Sequence, residues 1–192
     1  MVMAGLIFET CLVYLDDIVI FSRTWEEHLP RLEAVLKRIL STGLKLKPSK
    51  CKLLQRQVVF LGHVITGEGI ATDPKKTEEV SRWPVPRCTK DVRSYLGLCG
   101  YYRRFIDQYA EIAFPLTSLL KKGVRFKWDA SCQEAFEKLK LALTSPPILA
   151  MPRDEGLYIL DTDASDHSIG AVLSQLQDGE ERVIAYAAKV LQ

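Results

Sequence analysis

Two adjacent carboxylates near the start of the chain, Asp16 and Asp17, stand between apolar runs rich in β-branched residues at 12–15 and 18–21. Such runs predict two buried strands that fold back on each other, with the aspartates at the hairpin tip. Ionised groups about 4 Å apart repel by about 4 kcal/mol at an effective dielectric constant of about 20, so a cation or ample water must offset the repulsion. Mg²⁺ supplies such a charge, because it prefers oxygen ligands and is often held by one or two carboxylates plus substrate phosphates.

Aspartate is also a common turn residue, and these residues alone leave the metal site and the plain turn open. The run Tyr14-Leu15-Asp16-Asp17, however, resembles the Tyr-x-Asp-Asp box of reverse transcriptases, and the flanking sequence resembles their gypsy-like LTR retrotransposon branch. In that family the box forms the palm hairpin, where the first aspartate binds catalytic metal ions and the second supports the site. The resemblance therefore implies that Asp16 and Asp17 are catalytic, metal-binding residues that use Mg²⁺ or Mn²⁺.

The composition is that of a globular protein. Of the 192 residues, 47% are hydrophobic and 26% charged, which excludes disordered and collagen-like classes. No apolar run reaches the length of about 18 residues that a membrane span needs, so we expect no membrane partner. The apolar opening at 1–8 lacks a basic leader, and we interpret it as a palm segment that begins partway.

The cysteine pattern predicts free thiols. The five cysteines are odd in number and scattered, without a CxxC pair, which argues against a disulfide framework or a zinc site and indicates a reducing compartment. Together with the resemblance, this predicts an intracellular, cytoplasmic location in a virus-like particle, with a nuclear phase left open.

The net charge of +2 conceals an asymmetry along the chain. Residues 1–127 carry 21 Lys and Arg against 13 Asp and Glu, whereas residues 128–192 carry 5 against 11. A basic body followed by an acidic end is typical of a phosphate-binding surface joined to a metal-binding carboxylate cluster. Chance clustering of solvated surface charge is the alternative.

After the hairpin the sequence predicts a helix. We expect it to pack on the back of the palm sheet and to carry no chemistry of its own. Apolar residues recur at helical spacing between 29 and 40, Thr24 and Glu27 fit a capping box, and Gly43 is the expected stop. Because a proline inside a helix costs about 3 kcal/mol, we expect the helix to begin effectively at Pro30.

Segment 44–52 alternates apolar and basic residues around a proline. In the resemblance it falls where reverse transcriptases keep a lysine near the phosphates of the incoming nucleotide, and Lys50 is the candidate by position. A lysine there would neutralise or protonate the leaving pyrophosphate. A solvated basic edge strand explains the pattern equally well.

Residues 58–65 predict a second hairpin with Gly62 at its centre. The stretch resembles the primer grip, which holds the 3′ end of the primer against the palm. The resemblance implies duplex-binding roles for Phe60, Leu61, Gly62 and His63. By itself the stretch would be an ordinary core hairpin, and its distance downstream of the aspartate pair favours the primer grip.

Two helices are predicted next. Asp73 caps a helix that starts at Pro74 and ends by Trp83, and Thr89 caps a second helix whose apolar face continues to Ile106.

The run 95–106 within the second helix resembles the gypsy-type thumb signature. Gly97 and Gly100 would let a duplex backbone approach, and Arg103 and Arg104 would contact its phosphates. Helix packing through the glycines is the alternative.

The sequence from 114 to 147 matches the connection region of the family, and we assign it no chemistry. It predicts a short helix, a turn at 121–123, a strand that reaches Trp128, and a helix capped by Asp129.

Three strands are predicted at the end of the chain, at 157–163, 170–175 and 182–188, with a turn at Asp178-Gly179. The run 161–173 resembles the opening of the retroelement ribonuclease H domain. In this resemblance Asp163 matches the first metal-binding, catalytic carboxylate, whereas Asp161 shares its strand face without a family role.

The expected fold class is therefore α+β, a partial polymerase palm with a helical thumb followed by the opening β-strands of a ribonuclease H-like domain. The expected domains are the C-terminal palm at 1–72, the thumb-like region at 73–127, the connection at 128–152 and a truncated ribonuclease H-like domain at 153–192.

The resemblance implies a fragment of a retrotransposon RNA-directed DNA polymerase with ribonuclease H, which acts by two-metal phosphoryl transfer. Its partners would be an RNA template, a DNA primer and an RNA–DNA hybrid, with deoxynucleoside triphosphates as substrates of the full-length parent. Dimerisation, as in related enzymes, is left open.

Both two-metal sites are expected to be incomplete in this chain, because the family also needs an upstream aspartate, a fingers region and later acidic residues of ribonuclease H. We therefore expect the chain alone to be inactive in both reactions. The alternative is a non-catalytic nucleic-acid-binding remnant, or a decayed or domesticated retroelement protein. The genomic reading frame on both sides would distinguish the two.

Overall fold

The computed structural model describes residues 2–191, which fold into two compact units that divide between Arg56 and Gln57. The predicted α+β class is confirmed, since the described residues contain both α-helices and three small antiparallel sheets. The predicted boundary at residue 72 falls inside the second unit. Across 2–191, no helix combines the length and apolar composition needed to cross a bilayer.

The first unit contains the predicted hairpin, which we call the Asp hairpin. Its strands β1 (Cys11–Tyr14) and β2 (Asp17–Ile20) pair antiparallel through a two-residue turn. Helix α1 (Trp25–Ser41) follows and packs on the hairpin, as predicted. The buried core of this unit consists of Met3, Cys11, Val35 and Ile39.

The predicted start of α1 at Pro30 is wrong, because the helix begins at Trp25 and contains Pro30. The Thr24 side chain accepts a hydrogen bond from the Glu27 amide at 3.3 Å, and the Glu27 carboxylate accepts one from the Arg23 amide at 3.2 Å. These caps stabilise the first turn. Pro30 lies on the exposed side of the helix, where water can satisfy the carbonyl that it leaves unpaired.

The edge-strand interpretation of segment 44–52 is also wrong. In the first unit, residues 44–47 have no strand partner, and a 3₁₀ turn, Pro48–Lys50, follows them. The whole segment is exposed, so its apolar residues do not contribute to the core.

The second unit begins with the predicted second hairpin and adds a strand that the sequence did not indicate. Strands β3 (Val58–Phe60), β4 (His63–Ile65) and β5 (Ile70–Thr72) form an antiparallel meander. The remaining elements are α2 (Pro74–Ser81), α3 (Thr89–Tyr101), a 3₁₀ turn (Arg103–Phe105), α4 (Tyr109–Ser118), α5 (Ala130–Thr144), β6 (Tyr158–Ala164), β7 (Ser168–Gln177) and β8 (Glu180–Val190).

Two of the three predicted N-caps in this unit are confirmed. The Asp73 side chain accepts from the Lys75 amide at 3.0 Å, and the Asp129 side chain accepts from the Cys132 amide at 3.0 Å. The predicted cap at Thr89 is wrong by one residue, because Cys88 is the N-cap and its side chain makes no capping bond.

Two predicted extensions do not form. Helix α3 ends at Tyr101 instead of continuing to Ile106, and the chain then turns through the 3₁₀ segment. The predicted strand before Trp128 is an extended segment without strand pairing. Its last residue packs on α5 instead, since the Trp128 ring lies 6.1 Å from the Phe136 ring in an edge-on contact.

The three C-terminal strands are confirmed as the antiparallel sheet β6-β7-β8. The predicted turn between β7 and β8 is confirmed as well. Asp178 and Gly179 both adopt left-handed backbone angles, with φ of 56° and 85°, which matches the right-handed twist of the strands that they join.

The core of the second unit lies where α3, α4 and α5 meet. Tyr95 and Phe136 are fully buried with ring centroids 4.7 Å apart, and the Tyr95 hydroxyl donates to the Phe136 carbonyl oxygen at 2.9 Å. Leu139 of α5 is also fully buried in this cluster.

Replacing Leu139 with alanine should lower the free energy of unfolding of the second unit by about 2–5 kcal/mol, because a fully packed side chain leaves a cavity. Leu141, on the same helix, has a relative exposure of 67%, and Leu141→Ala should change the free energy by no more than about 0.5 kcal/mol. Urea unfolding followed by circular dichroism measures both. Equal effects of the two variants would contradict the assigned core.

Candidate functional site

The Asp hairpin presents both of its aspartates to solvent. Tyr14 pairs with Asp17, so that Leu15 and Asp16 form the turn. Leu15 has a left-handed φ of 51°, a conformation that costs about 1–2 kcal/mol for a residue with a Cβ atom. The strand register on both sides holds this strained turn in place. Local strain of this kind clusters at functional sites, because the surrounding structure must enforce it.

The donor set at this tip fits a hard divalent cation. Asp16 and Asp17 are both exposed and offer only oxygen ligands, which Mg²⁺ prefers. Within the part of the chain that the structure describes, no group of three or more histidine, cysteine, aspartate or glutamate residues could hold a metal ion. Mg²⁺ commonly keeps water and substrate phosphates as its other ligands, so two carboxylates are compatible with its binding.

Lys50 belongs to an exposed basic loop of the same unit. It ends the 3₁₀ turn, where its amide donates to the Lys47 carbonyl oxygen at 2.9 Å. Its side chain is exposed, as are those of Lys45, Lys47 and Lys52. The structure therefore leaves Lys50 accessible to a phosphate and provides further positive charge beside it.

The turn between β3 and β4, which we call the grip turn, consists of Leu61 and Gly62. Both residues are left-handed, with φ of 49° and 69°. The carbonyl oxygen of Leu61 accepts a hydrogen bond from the Tyr101 hydroxyl, and that of Gly62 accepts one from the Tyr102 hydroxyl at 2.7 Å. A Cβ atom at Gly62 would lie 3.0 Å from the Tyr102 hydroxyl oxygen, and this tight contact together with the left-handed φ favours glycine at this position.

The side chain of His63 points into the protein, away from the solvent-exposed side of the grip turn. Its ring centroid lies 5.5 Å from the rings of Tyr101 and Tyr102 and 5.6 Å from that of Phe105. The Nδ1 atom lies 2.8 Å from the Leu61 carbonyl oxygen and must be the donor, because a carbonyl only accepts. Burial lowers the pKa of His63, and the nearby charge of Arg104 lowers it further against the opposing effect of the Leu61 hydrogen bond. The residue is therefore placed to support the turn.

The two predicted glycines of the thumb-like helix α3 have different surroundings. Gly97 is exposed, and a Cβ atom there would meet nothing within 4 Å, so this face of the helix is open to a ligand. Gly100 instead lies against Tyr109, whose hydroxyl oxygen would be 3.4 Å from an added Cβ atom. The packing alternative thus applies to Gly100 and not to Gly97.

The two predicted arginines also differ. Arg103 is exposed, whereas Arg104 is half-buried. The Arg104 side chain donates to the Ile184 carbonyl oxygen at 3.4 Å and lies 5.9 Å from the Phe105 ring centroid. Its Nε atom is buried without a hydrogen-bond partner among the described residues. Arg104 therefore contacts β8, and only Arg103 of the pair is freely presented to a phosphate.

Asp163 lies on β6 opposite Gly170, and its side chain accepts from the Ala164 amide at 2.9 Å. It lines an open groove of about 430 Å³ whose other walls are mainly small residues, with Lys189 among them. Asp161 is exposed on the same strand. The structure gives Asp163 an accessible carboxylate beside a groove, as a metal-binding role would need.

Tyr101 and Tyr102 are the residues that the sequence did not identify as part of this site. Their only signal was their adjacency within the thumb-like run, which does not indicate that the helix ends between them.

Two family models match the chain. Residues 4–65 match the model described as reverse transcriptase (RNA-dependent DNA polymerase), and residues 128–192 match that described as an RNase H-like domain found in reverse transcriptase. The first match contains the Asp hairpin and the grip turn, and the second contains Asp163.

The chain is similar to curated retrotransposon polyproteins. It is 45% identical over 175 residues to the retrovirus-related Pol polyprotein from transposon 297 of Drosophila melanogaster, covering 91% of this chain and 16% of that protein. It is 37% identical over 179 residues to the transposon Tf2-3 polyprotein of Schizosaccharomyces pombe, covering 92% of this chain and 13% of that protein. The chain thus spans less than a fifth of the length of these relatives.

Solved structures of a foamy viral protease-reverse transcriptase have the same fold. The dRH form in complex with double-stranded DNA gives a TM-score of 0.85 at 29% identity, covering all of this chain and 33% of that one. The form in complex with an RNA/DNA hybrid gives a TM-score of 0.79 at 30% identity, covering 95% and 25%.

The half-buried His63 should make the stability of the second unit depend on pH. Because its pKa is lowered on folding, the unfolded chain binds this proton more readily. The stability is therefore complete above the unfolded pKa of about 6.5 and is lost progressively as the pH falls through and below that value. His63→Phe should lose less stability than the native chain between about pH 7.5 and about pH 5.5, measured by urea unfolding. Equal pH dependence of stability in the native chain and in His63→Phe would contradict this prediction.

Proposed function

The chain belongs to the gypsy-like reverse transcriptase and ribonuclease H region of retrotransposon Pol polyproteins, and from this premise we infer that it carries part of the catalytic and duplex-binding surface of an RNA-directed DNA polymerase. The Asp hairpin carries this inference. Its register places Asp16 in an exposed, strained turn and Asp17 at the exposed start of the adjoining strand, within the residues that match the polymerase model.

Asp16 and Asp17 would hold the divalent cations, Mg²⁺ or Mn²⁺, of the polymerase reaction. When bound, such ions stabilise the negative charge that develops on the transferring phosphoryl group and its leaving oxygen. Asp16 would be the direct ligand, and Asp17 on the adjoining strand would support the site. Lys50, exposed on the basic loop, would neutralise the pyrophosphate that leaves a deoxynucleoside triphosphate.

The grip turn, the open helix face at Gly97 and the exposed Arg103 would contact a primer–template duplex. The similar foamy viral enzyme, whose structures were solved with double-stranded DNA and with an RNA/DNA hybrid, supports this choice of partner. The net positive charge of residues 1–127, with 21 basic against 13 acidic side chains, favours phosphate binding. Asp163 would serve in the ribonuclease H reaction on the RNA strand of a hybrid.

Duplex binding by the chain should weaken steeply with salt, with a log–log slope of about −0.9 for each phosphate contacted on B-form DNA. Arg103→Gln should reduce the magnitude of that slope by about 0.9, because one phosphate contact is lost. Fluorescence anisotropy with a labelled duplex at several salt concentrations measures the slope.

The matched control for this experiment is Arg153→Gln, since Arg153 is an exposed arginine already paired with both carboxylate oxygens of Asp178 at 2.9 and 2.8 Å. It removes the same charge from the same unit but should leave the slope unchanged. Equal changes in both variants would show that net charge, and not a contact of Arg103, governs binding. A folded chain that binds no duplex at low salt would refute the proposed duplex surface.

Fusing the upstream palm and fingers of a related polymerase to the chain should give template-dependent DNA synthesis. Asp16→Asn in that fusion should reduce synthesis to background, because the change preserves size but removes a carboxylate ligand of the cation. Duplex affinity and the unfolding temperature should remain close to those of the parent fusion. Glu9→Gln, at an exposed carboxylate of the same unit, is the control and should keep full activity. Undiminished synthesis by the Asp16→Asn enzyme would contradict the assignment.

A further inference from the structure

Two consecutive tyrosines at the end of α3 bond to two consecutive carbonyl groups of the grip turn. The Tyr101 hydroxyl donates to Leu61, and the Tyr102 hydroxyl donates to Gly62, across forty residues of sequence. The two rings stand nearly perpendicular, with an interplanar angle of 89° and centroids 5.0 Å apart. The pair thus provides a hydrogen-bond donor to each of the two carbonyl groups of the turn.

The end of the helix makes this double contact feasible. Successive side chains on an α-helix diverge by about 100°, so adjacent tyrosines inside a helix would point in different directions. Here α3 ends at Tyr101, and Tyr102 already has the C-cap conformation. Burial raises the pKa of Tyr102 to about 12, so its hydroxyl remains a protonated hydrogen-bond donor even in alkaline solution where an ordinary tyrosine begins to ionise.

His63 adds a third donor to the same turn. Its Nδ1 atom donates to the Leu61 carbonyl oxygen, which therefore receives hydrogen bonds from both His63 and Tyr101. The imidazole fills the space between the tyrosine rings and Phe105, so that the turn, β4 and the end of α3 form one packed cluster. Leu61 keeps its unfavourable left-handed conformation within this cluster.

We propose that Tyr101 and Tyr102 are positioning residues that hold the grip turn in its left-handed conformation and join it to the arginine-bearing end of the thumb-like helix. The grip turn and Arg103, which follows Tyr102 directly, then meet a duplex as a single rigid surface. The tyrosine hydroxyls themselves point at the protein backbone and make no contact with the nucleic acid. This inference rests on the duplex-binding function proposed above.

The test uses Tyr101→Phe, Tyr102→Phe and the double variant in the full chain, since each change removes only a hydroxyl group. Tyr109→Phe is the control, because its hydroxyl donates to Leu96 within the helical part of the same unit. Hydrogen exchange followed by mass spectrometry reports on the grip turn through the peptide 58–66 and on the rest of the unit through the peptide 168–177.

Exchange in the peptide 58–66 of the double variant should accelerate about tenfold or more, because loss of two hydrogen bonds makes local opening easier. Exchange in the peptide 168–177 should stay as in the native chain. Duplex affinity should fall by about tenfold at every salt concentration while the salt slope stays the same, because no phosphate contact is removed. The Tyr109→Phe variant should match the native chain in all three measurements.

Native exchange rates at the grip turn in the double variant would overturn the proposal. A shallower salt slope in that variant would also overturn it, because the hydroxyls would then be phosphate ligands. If the native chain binds no duplex, the proposed function fails, and the exchange of the grip turn still decides whether the tyrosines hold it. If the double variant does not fold, the exchange rates of the single variant Tyr101→Phe decide between the outcomes. This variant should fold because Tyr101 has a relative exposure of 53% and loses only its hydroxyl group.

Discussion

The second unit depends on the backbone hydrogen bonds that Leu149 and Ala150 make with two different sheets. Leu149 exchanges hydrogen bonds with Ile70 at the edge of the first sheet of this unit, at 2.8 and 2.9 Å, and the Ala150 amide donates to Val183 of β8 at 2.8 Å. Both residues are buried, where unpaired backbone groups would be costly. Only glycine fits at position 69, because a Cβ atom there would lie 2.1 Å from the Leu149 carbonyl oxygen. The sheet that carries the grip turn is thereby joined through backbone bonds to the sheet that carries Asp163.

The segment that follows, residues 151–155, is held by hydrogen bonds to two buried amide side chains of β7. Gln175 accepts from the Arg153 amide at 2.8 Å and donates to the carbonyl oxygens of Arg153 and Glu155, while Gln177 donates to Met151 at 2.8 Å. A buried amide left without partners costs about 1–3 kcal/mol, so these bonds favour one arrangement of the segment. The connection between α5 and β6 is therefore an ordered part of the unit, and the groove beside Asp163 has a defined place relative to the helices.

Features encoded by neighbouring residues were predictable from the sequence, and features that depend on distant contacts were not. The caps at Asp73 and Asp129 and the turn at Asp178-Gly179 follow from local hydrogen bonding and backbone preference, and the structure confirms them. Strand β5 has only three residues, and its backbone is satisfied by β4 and Leu149, which no local pattern reveals. The predicted start at Pro30 is wrong because the caps at Thr24 and Glu27 stabilise the first turn, and because Pro30 lies on the exposed side of the helix, where water can satisfy the carbonyl that it leaves unpaired.

The same distinction applies to the candidate site. The exposed tip at Asp16 and Asp17 depends on two short strands and a two-residue turn, all within ten residues, so their types and spacing were sufficient to predict it. The two adjacent arginines look equivalent in the sequence, yet Arg103 is exposed and Arg104 contacts Ile184, eighty residues away. The point at which α3 ends determines this difference, since it sets the direction of each side chain in the 3₁₀ turn that follows. Residue types therefore identify the segment that we propose as a nucleic-acid contact, whereas the helix end decides which of its arginines is exposed.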